Sequence, residues 1–486
     1  MLISKRILSA VLLGAMLCQL VACGSSEPVS EDTTTAGTDG TTAAEVVGYP
    51  YYSDTDFGGE TFTIINVSKK FHSMLCDVFP DESNGETVND AIVARNERVM
   101  EQLNCQIEEI HVGQSDINTM ITQAVMSGDD VYDAAYPFMN QTATGIAEGY
   151  YYCLNDIDTV HLGESWWDPV MLKATSIGGK SYFATSSAHL MSLDGIWCLF
   201  FNEDMMDDLN LDYPYQTVRD GNWTLEEMRK YTKAAASLNG ADSFSKEAGT
   251  SAVFGCTSFS GGTAKFLYGV GAQYFSKDKD DMPVFSADSE RFANAVEKLA
   301  SFMSTPGEYL LSDNETFPDT SYVGYFKNQN ALFLAAEIKT AQTLRDMEQS
   351  FGIVPMPKAD DEQENYMATC LTGVCVFTIP TTNPEPEKVG LFFDALSWES
   401  DATVLEPYFS VLVEQKGLRN EESIEMLEII KANRSVDLGI AYSWASALEG
   451  RLSSEVFSTT PNIASTVASQ KEAVNAAMNK TLEAIK

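Results

Sequence analysis

The residues that most often carry enzyme chemistry are few or poorly spaced in this sequence. Its 486 residues include only four histidines, and no two lie within five residues of each other: His72, His111, His161 and His189. This spacing excludes HExxH and similar histidine motifs for zinc, so the sequence predicts no metal site and no cofactor. No GxSxG motif occurs either, which removes the nucleophile turn of α/β hydrolases.

Carboxylates are so abundant that the sequence does not identify a catalytic pair. Asp and Glu total 70 against 31 Lys and Arg, which gives a formal net charge of -39. Any two of these carboxylates could be the acid and base of a glycosidase, and the sequence does not select a pair. Such a negative field repels phosphate backbones, so nucleic acid is not expected as a partner.

Two short motifs resemble catalytic signatures but have simpler interpretations. Residues 174–181 (ATSIGGKS) end like a phosphate-binding loop, but Ala174 stands where the first glycine should be, so a Gly-Gly turn is favoured. Residues 243–246 (SFSK) have the SxxK spacing of penicillin-recognising enzymes, but no later KTG follows. Neither motif therefore predicts an enzyme.

The N-terminal residues predict export and a lipid anchor. A basic start and an apolar run, residues 5–17, form a segment too short to span a membrane. Residues 20–23 (LVAC) resemble a bacterial lipobox, and the alternative is an ordinary signal that ends at a lone cysteine. We expect residues 1–22 to be a lipoprotein signal peptide and Cys23 to carry the acyl chains, palmitate included. Residues 23–55 would then tether the protein to the extracytoplasmic face of the cell membrane.

The remaining cysteines do not form an evident disulfide framework. Of nine cysteines, Cys18 leaves with the predicted signal and Cys23 carries lipid, so an odd number of seven remains. Cys370 and Cys375 are the nearest pair, and their spacing fits neither a CxxC redox motif nor a zinc motif. We therefore expect most of these thiols to be buried in the core.

Hydrophobic periodicity predicts alternating strands and helices. Phe62 and Ile64 alternate as in a strand, and helical spacing is found at residues 88–103, 289–303 and 421–430. Thr224 and Glu227 have the spacing of a capping box, which predicts a helix start. Uniform apolar runs typical of strands buried on both faces occur at residues 196–201, 331–336 and 374–379.

The order of several short motifs resembles one known family. The motifs are MSGDDVYD (126–133), GYYYCLND (149–156), GKSYFA (179–184), LFFNED (199–204), FKNQNAL (326–332) and FGIVPMP (351–357). Over residues 57–486 this order is similar to that of the extracellular solute-binding proteins of ATP-binding-cassette (ABC) importers, of the large kind that mostly serves sugars. The sequence departs from the family at Thr185, which replaces a proline, at Asn330, where the glycine of the family motif is missing, and at Glu337, where many members have an aromatic residue.

The resemblance implies an α/β fold of the two-lobe, type II periplasmic-binding-protein kind, with a hinge and an interlobe cleft. Lobe one is expected at residues 56–190 plus 366–400, and lobe two at residues 191–365 plus 401–486. A ligand that touches both lobes would favour the closed form, since closure adds contacts that the open form lacks.

Five residues are predicted to bind the ligand. Sugar recognition uses flat aromatic faces together with polar side chains that bind hydroxyl groups. Residues of these types stand at strand ends or in loops at Asn66, Asp133, Tyr136, Glu337 and Trp444. Each has an ordinary structural alternative: Trp444 in the core, Asp133 as a helix cap and Asn66 in a turn.

The resemblance implies a receptor rather than an enzyme. The expected protein is a lipid-anchored monomer that captures a small-molecule solute, a mono- or oligosaccharide, and delivers it to the membrane permease of an ABC importer. Two alternatives stay open. The solute could be a peptide or another polar nutrient, since Glu337 could bind a cationic group. The protein could also be a surface enzyme acting on glycans, which would need two carboxylates about 5 to 9.5 Å apart across a cleft.

Overall fold

The computed structural model describes residues 49–51, 54–67, 70–71, 74–314, 320–413 and 421–485. The predicted signal peptide, Cys23 and most of the predicted tether lie outside the described residues. The part of the chain that begins at Tyr49 folds as one unit, and its elements are described below.

The strands and helices alternate along most of the chain. The strands are β1 (Glu60–Val67), β2 (Lys70–Phe71), β3 (Met74–Leu75), β4 (Cys105–Val112), β5 (Ala134–Tyr136), β6 (Trp197–Asn202), β7 (Phe254–Ser258), β8 (Phe275–Lys277), β9 (Pro283–Phe285), β10 (Tyr309–Leu311), β11 (Ala331–Glu337), β12 (Phe351–Val354), β13 (Ala368–Thr369) and β14 (Arg434–Ser435). The helices are α1 (Thr87–Leu103), α2 (Ile117–Ser127), α3 (Ala143–Ala147), α4 (Pro169–Thr175), α5 (Met191–Asp194), α6 (Glu203–Asp208), α7 (Tyr215–Arg219), α8 (Leu225–Ala235), α9 (Ser260–Gly269), α10 (Glu290–Met303), α11 (Tyr322–Lys327), α12 (Thr340–Leu344), α13 (Pro386–Thr403), α14 (Leu405–Val413), α15 (Glu421–Ala432), α16 (Leu438–Ala441), α17 (Ser446–Glu455) and α18 (Ile463–Ala484).

Two separate sheets organise the fold. The smaller has the strand order β4-β1-β5, and all of its pairs are parallel. The larger has the order β10-β7-β11-β6-β12, in which β10, β7 and β11 are parallel and β6 runs antiparallel to both of its neighbours. Every residue of β6 and β11 is buried, as expected for strands covered on both faces.

Three segments lie side by side where the chain passes between the two sheets. Gly195 and Ile196 lead into β6, β13 continues to Leu371, and β14 pairs with β13 in parallel. Leu371 N donates to Gly195 O at 2.9 Å, and Cys370 N donates to Ser435 O at 3.0 Å. This is the multiple crossing expected of a hinge.

The strongest helix predictions are confirmed. The four residues with helical spacing in α1 are buried on one face, namely Val88, Ile92, Val99 and Leu103. Thr224 caps α8, since its side chain accepts a hydrogen bond from Glu227 N. Ser289 caps α10 in the same way, through Phe292 N at 3.2 Å. Trp223 packs its ring against Tyr231 and Phe333 and donates from Nε1 to Pro355 O.

The apolar run at residues 374–379 is not a regular strand, contrary to the prediction. It is buried and makes isolated antiparallel bridges, from Cys375 to Phe138, from Thr378 to Ala135 and from Phe377 to Ala184. The two bridges to β5 and to the segment after it are isolated from each other, and the bridge to Ala184 is single, so no continuous ladder forms. The run still packs against β5, as a buried strand would.

The last helices contact elements near both sheets. Helix α18 packs against α3, which follows β5, and also against α17 and α10. Helix α14 packs against α1. The residue limits of the two lobes remain a prediction. Among the described helices, none is both long and apolar enough to cross a membrane.

Candidate functional site

A cavity of about 390 Å³ lies between the two sheets. Ligand sites in proteins are commonly concave and of this size, about 300 to 1,000 Å³. We call it the cleft. It is lined by Met74, Asn140, Phe259, Asp313, Asn314, Ser321, Tyr322, Val323, Glu337, Lys339, Thr340, Thr343, Leu371, Thr372 and Gly373.

The larger sheet brings several cleft residues together by its topology. Phe259 directly follows β7, Asp313 follows β10, and Glu337 is the last residue of β11. These three strands are parallel, so their carboxyl ends meet at one edge of the sheet. Ligands of open α/β sheets bind beyond this edge, because the loops that leave it converge there.

Aromatic rings form one wall of the cleft. Phe259 and Tyr322 are half-buried, and their ring centroids are 5.0 Å apart at 40°. Behind them, the fully buried Trp197 lies 5.5 Å from Phe259. A row of rings thus runs from the core to the cleft and offers apolar faces of the kind that sugar rings stack against.

Charged groups stand beside this wall. Asp313 is exposed, and its Oδ1 accepts a hydrogen bond from Ser260 N at 2.6 Å, which fixes the carboxylate at the start of α9. Glu337 is buried at the end of β11. Burial lowers the pKa of the Lys339 amine, while the carboxylates of Asp194 and Glu337 raise it in part. The cleft therefore contains two acids and one base close to the aromatic wall.

The side of the smaller sheet contributes mostly amide and hydroxyl groups. Asn140 follows β5, and Thr372 lies in the crossing segment after β13. Met74 reaches the cleft from β3, whose next residue, Leu75, donates its N–H to Asp194 at 2.9 Å. Neutral donors and acceptors of this kind suit a ligand with many hydroxyl groups.

Two other concavities have a different character. One of about 970 Å³ lies along α10 and the loop at residues 359–362, where Arg291 and Lys298 pair with acidic residues. The other, of about 600 Å³, lies beside the bidentate ion pair of Arg434 with Asp168, whose contacts are 2.8 and 3.0 Å. Neither lies at the carboxyl ends of β7, β10 and β11, so the cleft is the better candidate for the ligand.

Glu337 is the one predicted ligand residue that lines the cleft among the described residues. Asn66 is instead fully buried at the end of β1. Its Nδ2 donates to Cys76 O at 2.7 Å and to Glu109 Oε1 at 2.6 Å, so it bonds to β4 of the smaller sheet and to the loop after β3. As a ligand contact, Asn66 remains a prediction.

Asp133 directly precedes β5 and Tyr136 is its last residue, and neither lines the cleft. Asp133 accepts hydrogen bonds from Thr63 N at 2.7 Å and Asn383 Nδ2 at 2.8 Å, and burial raises the pKa of its carboxyl group. Tyr136 is buried, and burial raises the pKa of its phenol. Its hydroxyl group makes no hydrogen bond within the part of the chain that the structure describes.

Trp444 is buried, as its structural alternative predicted. Its Nε1 donates to Thr481 Oγ1 at 3.0 Å, and its ring stacks on Tyr442 with centroids 5.0 Å apart. The neighbouring Ser443 donates its hydroxyl to Asn140 O, so the loop reaches a cleft residue although the indole does not line the cavity.

Several cleft residues were not among the sequence candidates. Phe259, Asp313, Tyr322 and Lys339 all lie just beyond parallel strands of the larger sheet or at the start of the next helix. The rule that selected Glu337, a polar residue at the end of a buried strand, extends to Lys339 two residues later. Asp313 follows β10, for which the sequence predicted no strand. Phe259 and Tyr322 could not be separated by type from the many aromatic residues of the core.

Solved structures similar to this one include binding proteins, two of which are described as proteins of ABC transporters. An ABC substrate-binding protein from Listeria monocytogenes, in complex with cycloalternan, matches with a TM-score of 0.55 and 13% identity, over 87% of this chain and 99% of that one. The galacto-N-biose/lacto-N-biose I-binding protein from Bifidobacterium longum, in complex with lacto-N-biose, matches with a TM-score of 0.57 and 12% identity, over 88% and 98%. A cyclo/maltodextrin-binding protein complexed with maltotetraose matches with a TM-score of 0.53 and 14% identity, over 90% and 99%.

This chain has the fold of ABC-importer binding proteins. The match extends over nearly the whole length of each of those proteins, so both lobes and the hinge are included. The α/β two-lobe prediction is thereby confirmed. No model of a protein family matches this chain, and no curated protein is significantly similar to it.

Proposed function

We propose that this protein is a lipid-anchored, extracytoplasmic receptor that captures a mono- or oligosaccharide and delivers it to the permease of an ABC importer. The observation that carries the proposal is the cleft between the two sheets. It combines the rings of Phe259 and Tyr322 with Asp313, Glu337 and a set of amide and hydroxyl side chains. Stacking surface beside many hydrogen-bonding groups is the chemistry that a sugar requires.

The structural neighbours support the same assignment. Those described above are binding proteins rather than enzymes, and they hold cycloalternan, lacto-N-biose or maltotetraose. The LVAC motif at residues 20–23 supports membrane attachment through Cys23, and the order of the chain segments supports the lobe limits given above. The proposed receptor acts as a monomer without catalysis, because closure of the cleft is sufficient for its function.

A solute with an amine is the second candidate. Two carboxylates, Asp313 and Glu337, line the cleft together with a single lysine, Lys339. This excess of negative charge would favour a cationic group on the ligand. An enzyme acting on glycans would also need a pair of carboxylates, so the test below includes a search for reaction products.

Calorimetric titration with a ligand panel tests the proposal. The mature chain with Cys23→Ser is titrated with mono- and oligosaccharides, amino sugars and peptides, and the solutions are analysed afterwards for products. We expect saturable binding of one sugar series without turnover. Binding of peptides alone would replace the sugar assignment, product formation would indicate an enzyme, and no binding at all would contradict the receptor.

A pair of matched variants places the bound ligand in the cleft. Tyr322→Ala removes a ring from the cleft wall, whereas Tyr213→Ala removes a half-buried ring that packs on Phe201 and Tyr215 outside the cleft. We expect Tyr322→Ala to weaken sugar binding at least about tenfold, or ~1.4 kcal/mol. Tyr213→Ala should leave the affinity unchanged. Equal affinities for the two variants would place the ligand elsewhere.

A further inference from the structure

Three potential metal ligands meet at one end of the smaller sheet. Glu109 and His111 are two residues apart on β4, so their side chains share one face of the strand. Asp77 lies in the loop that follows β3. One ligand atom from each of these residues lies within 4.8 Å of the other two.

The distances within this cluster suit a metal ion. His111 Nε2 lies 3.0 Å from Asp77 Oδ1 and 3.6 Å from Glu109 Oε1. Ligand atoms bound tetrahedrally at about 2.0 to 2.1 Å from zinc are about 3.3 Å apart, between these two values. Asp77 Oδ1 is buried and accepts no hydrogen bond of good geometry within the described residues, although His111 Nε2 faces it.

The Glu109 carboxylate is held in place by a second set of contacts. Val78 N donates to it at 3.1 Å and Phe79 N at 2.6 Å, while Asn66 Nδ2 donates to Oε1 at 2.6 Å. Its side chain is only 1% exposed. Hydrogen bonds of this kind orient the ligands of established metal sites and increase their affinity.

We propose that Asp77, Glu109 and His111 bind one divalent cation of the zinc class. Two carboxylates and a neutral imidazole balance the charge of a divalent ion, and such a ligand set suits zinc better than calcium, which prefers oxygen ligands alone. Three protein ligands leave one position for water. This site is separate from the proposed sugar site and does not depend on it.

The bound ion would stabilise the wall of the cleft that contains Met74. Asp77 is three residues from Met74, which lines the cleft, while Glu109 and His111 belong to the edge strand β4. The ion would therefore cross-link the loop after β3 to the sheet. A structural role of this kind requires no catalysis.

Metal titration of the whole mature chain tests the site. The chain carries Cys23→Ser, is freed of affinity tags and bound metal, and is kept reduced because it contains seven other cysteines. Calorimetry with zinc chloride should give one equivalent, and calcium chloride should give at least tenfold weaker binding. Cobalt chloride should give the visible absorption of a tetrahedral site.

Three variants locate the bound ion. His111→Gln and Asp77→Asn should each weaken zinc binding at least tenfold. His161→Gln should not, because His161 belongs to a histidine–carboxylate pair with Asp394 that has no third ligand nearby among the described residues. Circular dichroism checks that each variant is folded. If His111→Gln on β4 does not fold, Asp77→Asn in the loop still tests the site.

Two results of the zinc titrations would overturn the proposal, and a third result, from calcium, would overturn the class of ion. One is the absence of zinc binding to the folded wild-type chain. The other is zinc binding of equal strength in His111→Gln, Asp77→Asn and the wild type, which would place the ion elsewhere. Binding of calcium with the higher affinity would refute the zinc class.

Discussion

At the scale of residues, some buried charged side chains of this protein form hydrogen bonds to backbone groups. Arg95 is completely buried, and its guanidinium donates to Ala188 O, Val78 O and two neutral side chains. Burial lowers the pKa of Arg95 to about 10, which still leaves it charged at neutral pH. The burial of Arg95 could not be predicted from the sequence, because an arginine in an amphipathic helix is normally on the surface.

Asp437 is the buried carboxylate whose titration should be measurable. It accepts hydrogen bonds from Tyr274 N at 2.7 Å, from Phe275 N at 3.2 Å and from Gly439 N at 2.7 Å, which joins β8 to the cap of α16. Burial nevertheless raises its pKa to about 7, because desolvation of the charge outweighs these bonds.

We expect Asp437 to make the protein less stable as the pH rises from 4 to 7. Over that range the unfolded chain loses a proton that the folded chain keeps, so the free energy of unfolding falls by up to about 4 kcal/mol. Below pH 4 the contribution is constant, and above the folded pKa it is fully lost. Urea unfolding of the wild type and Asp437→Asn measures the difference, and parallel pH profiles would contradict the raised pKa.

At the scale of elements, helices could be predicted from local sequence, whereas the formation of a strand depended on the segments that it pairs with. The caps Thr224 and Ser289 act within one turn of the helix, so they can be identified from spacing alone. The run at residues 374–379 has the composition of a buried strand, yet it forms only isolated bridges to its neighbours, residues 135–138 and Ala184. Whether an apolar run becomes a ladder is therefore decided by tertiary contacts.

Removal of the Thr224 cap should destabilise the fold. Thr224→Ala leaves Glu227 N without its side-chain acceptor, and we expect the free energy of unfolding to fall by about 1 kcal/mol. Thr224→Ser keeps a hydroxyl oxygen at the same position and should recover most of the loss. Urea unfolding of the three proteins tests this expectation, and equal losses for alanine and serine would exclude the cap as the cause.

At the scale of the whole molecule, the cysteines report on the integrity of the core. The seven cysteines of the described residues are all free and buried, as the sequence predicted for most of them. Burial raises the pKa of Cys105 and of Cys370 to about 12. The reactive thiolate is therefore scarce as well as inaccessible.

We expect the native mature chain with Cys23→Ser to be inert to a thiol-specific dye at pH 8. After denaturation it should react with seven equivalents, one for each of these cysteines. Ser115→Cys, at an exposed position, provides the positive control and should react at once with one equivalent. Fast reaction of the native chain without this substitution would show that part of the core opens readily.

The sequence by itself determined the α/β class, the main helices, the buried strands of the larger sheet and the burial of most of the cysteines. Each of these depends on hydrophobic period, local capping or composition, which act over short stretches of chain. The resemblance in motif order added the two-lobe fold, which the structural matches confirm.

Only the tertiary structure decided which side chains face the cleft. Glu337 was recognisable at a strand end, but Phe259 and Tyr322 could not be distinguished from core aromatics until the strands were aligned in parallel. The same is true of Asp77, which is 32 residues from Glu109 in the sequence yet lies beside it in the fold. Such sites are formed by side chains far apart in the chain, and their proximity depends on the order and register of the strands, which local sequence patterns do not determine.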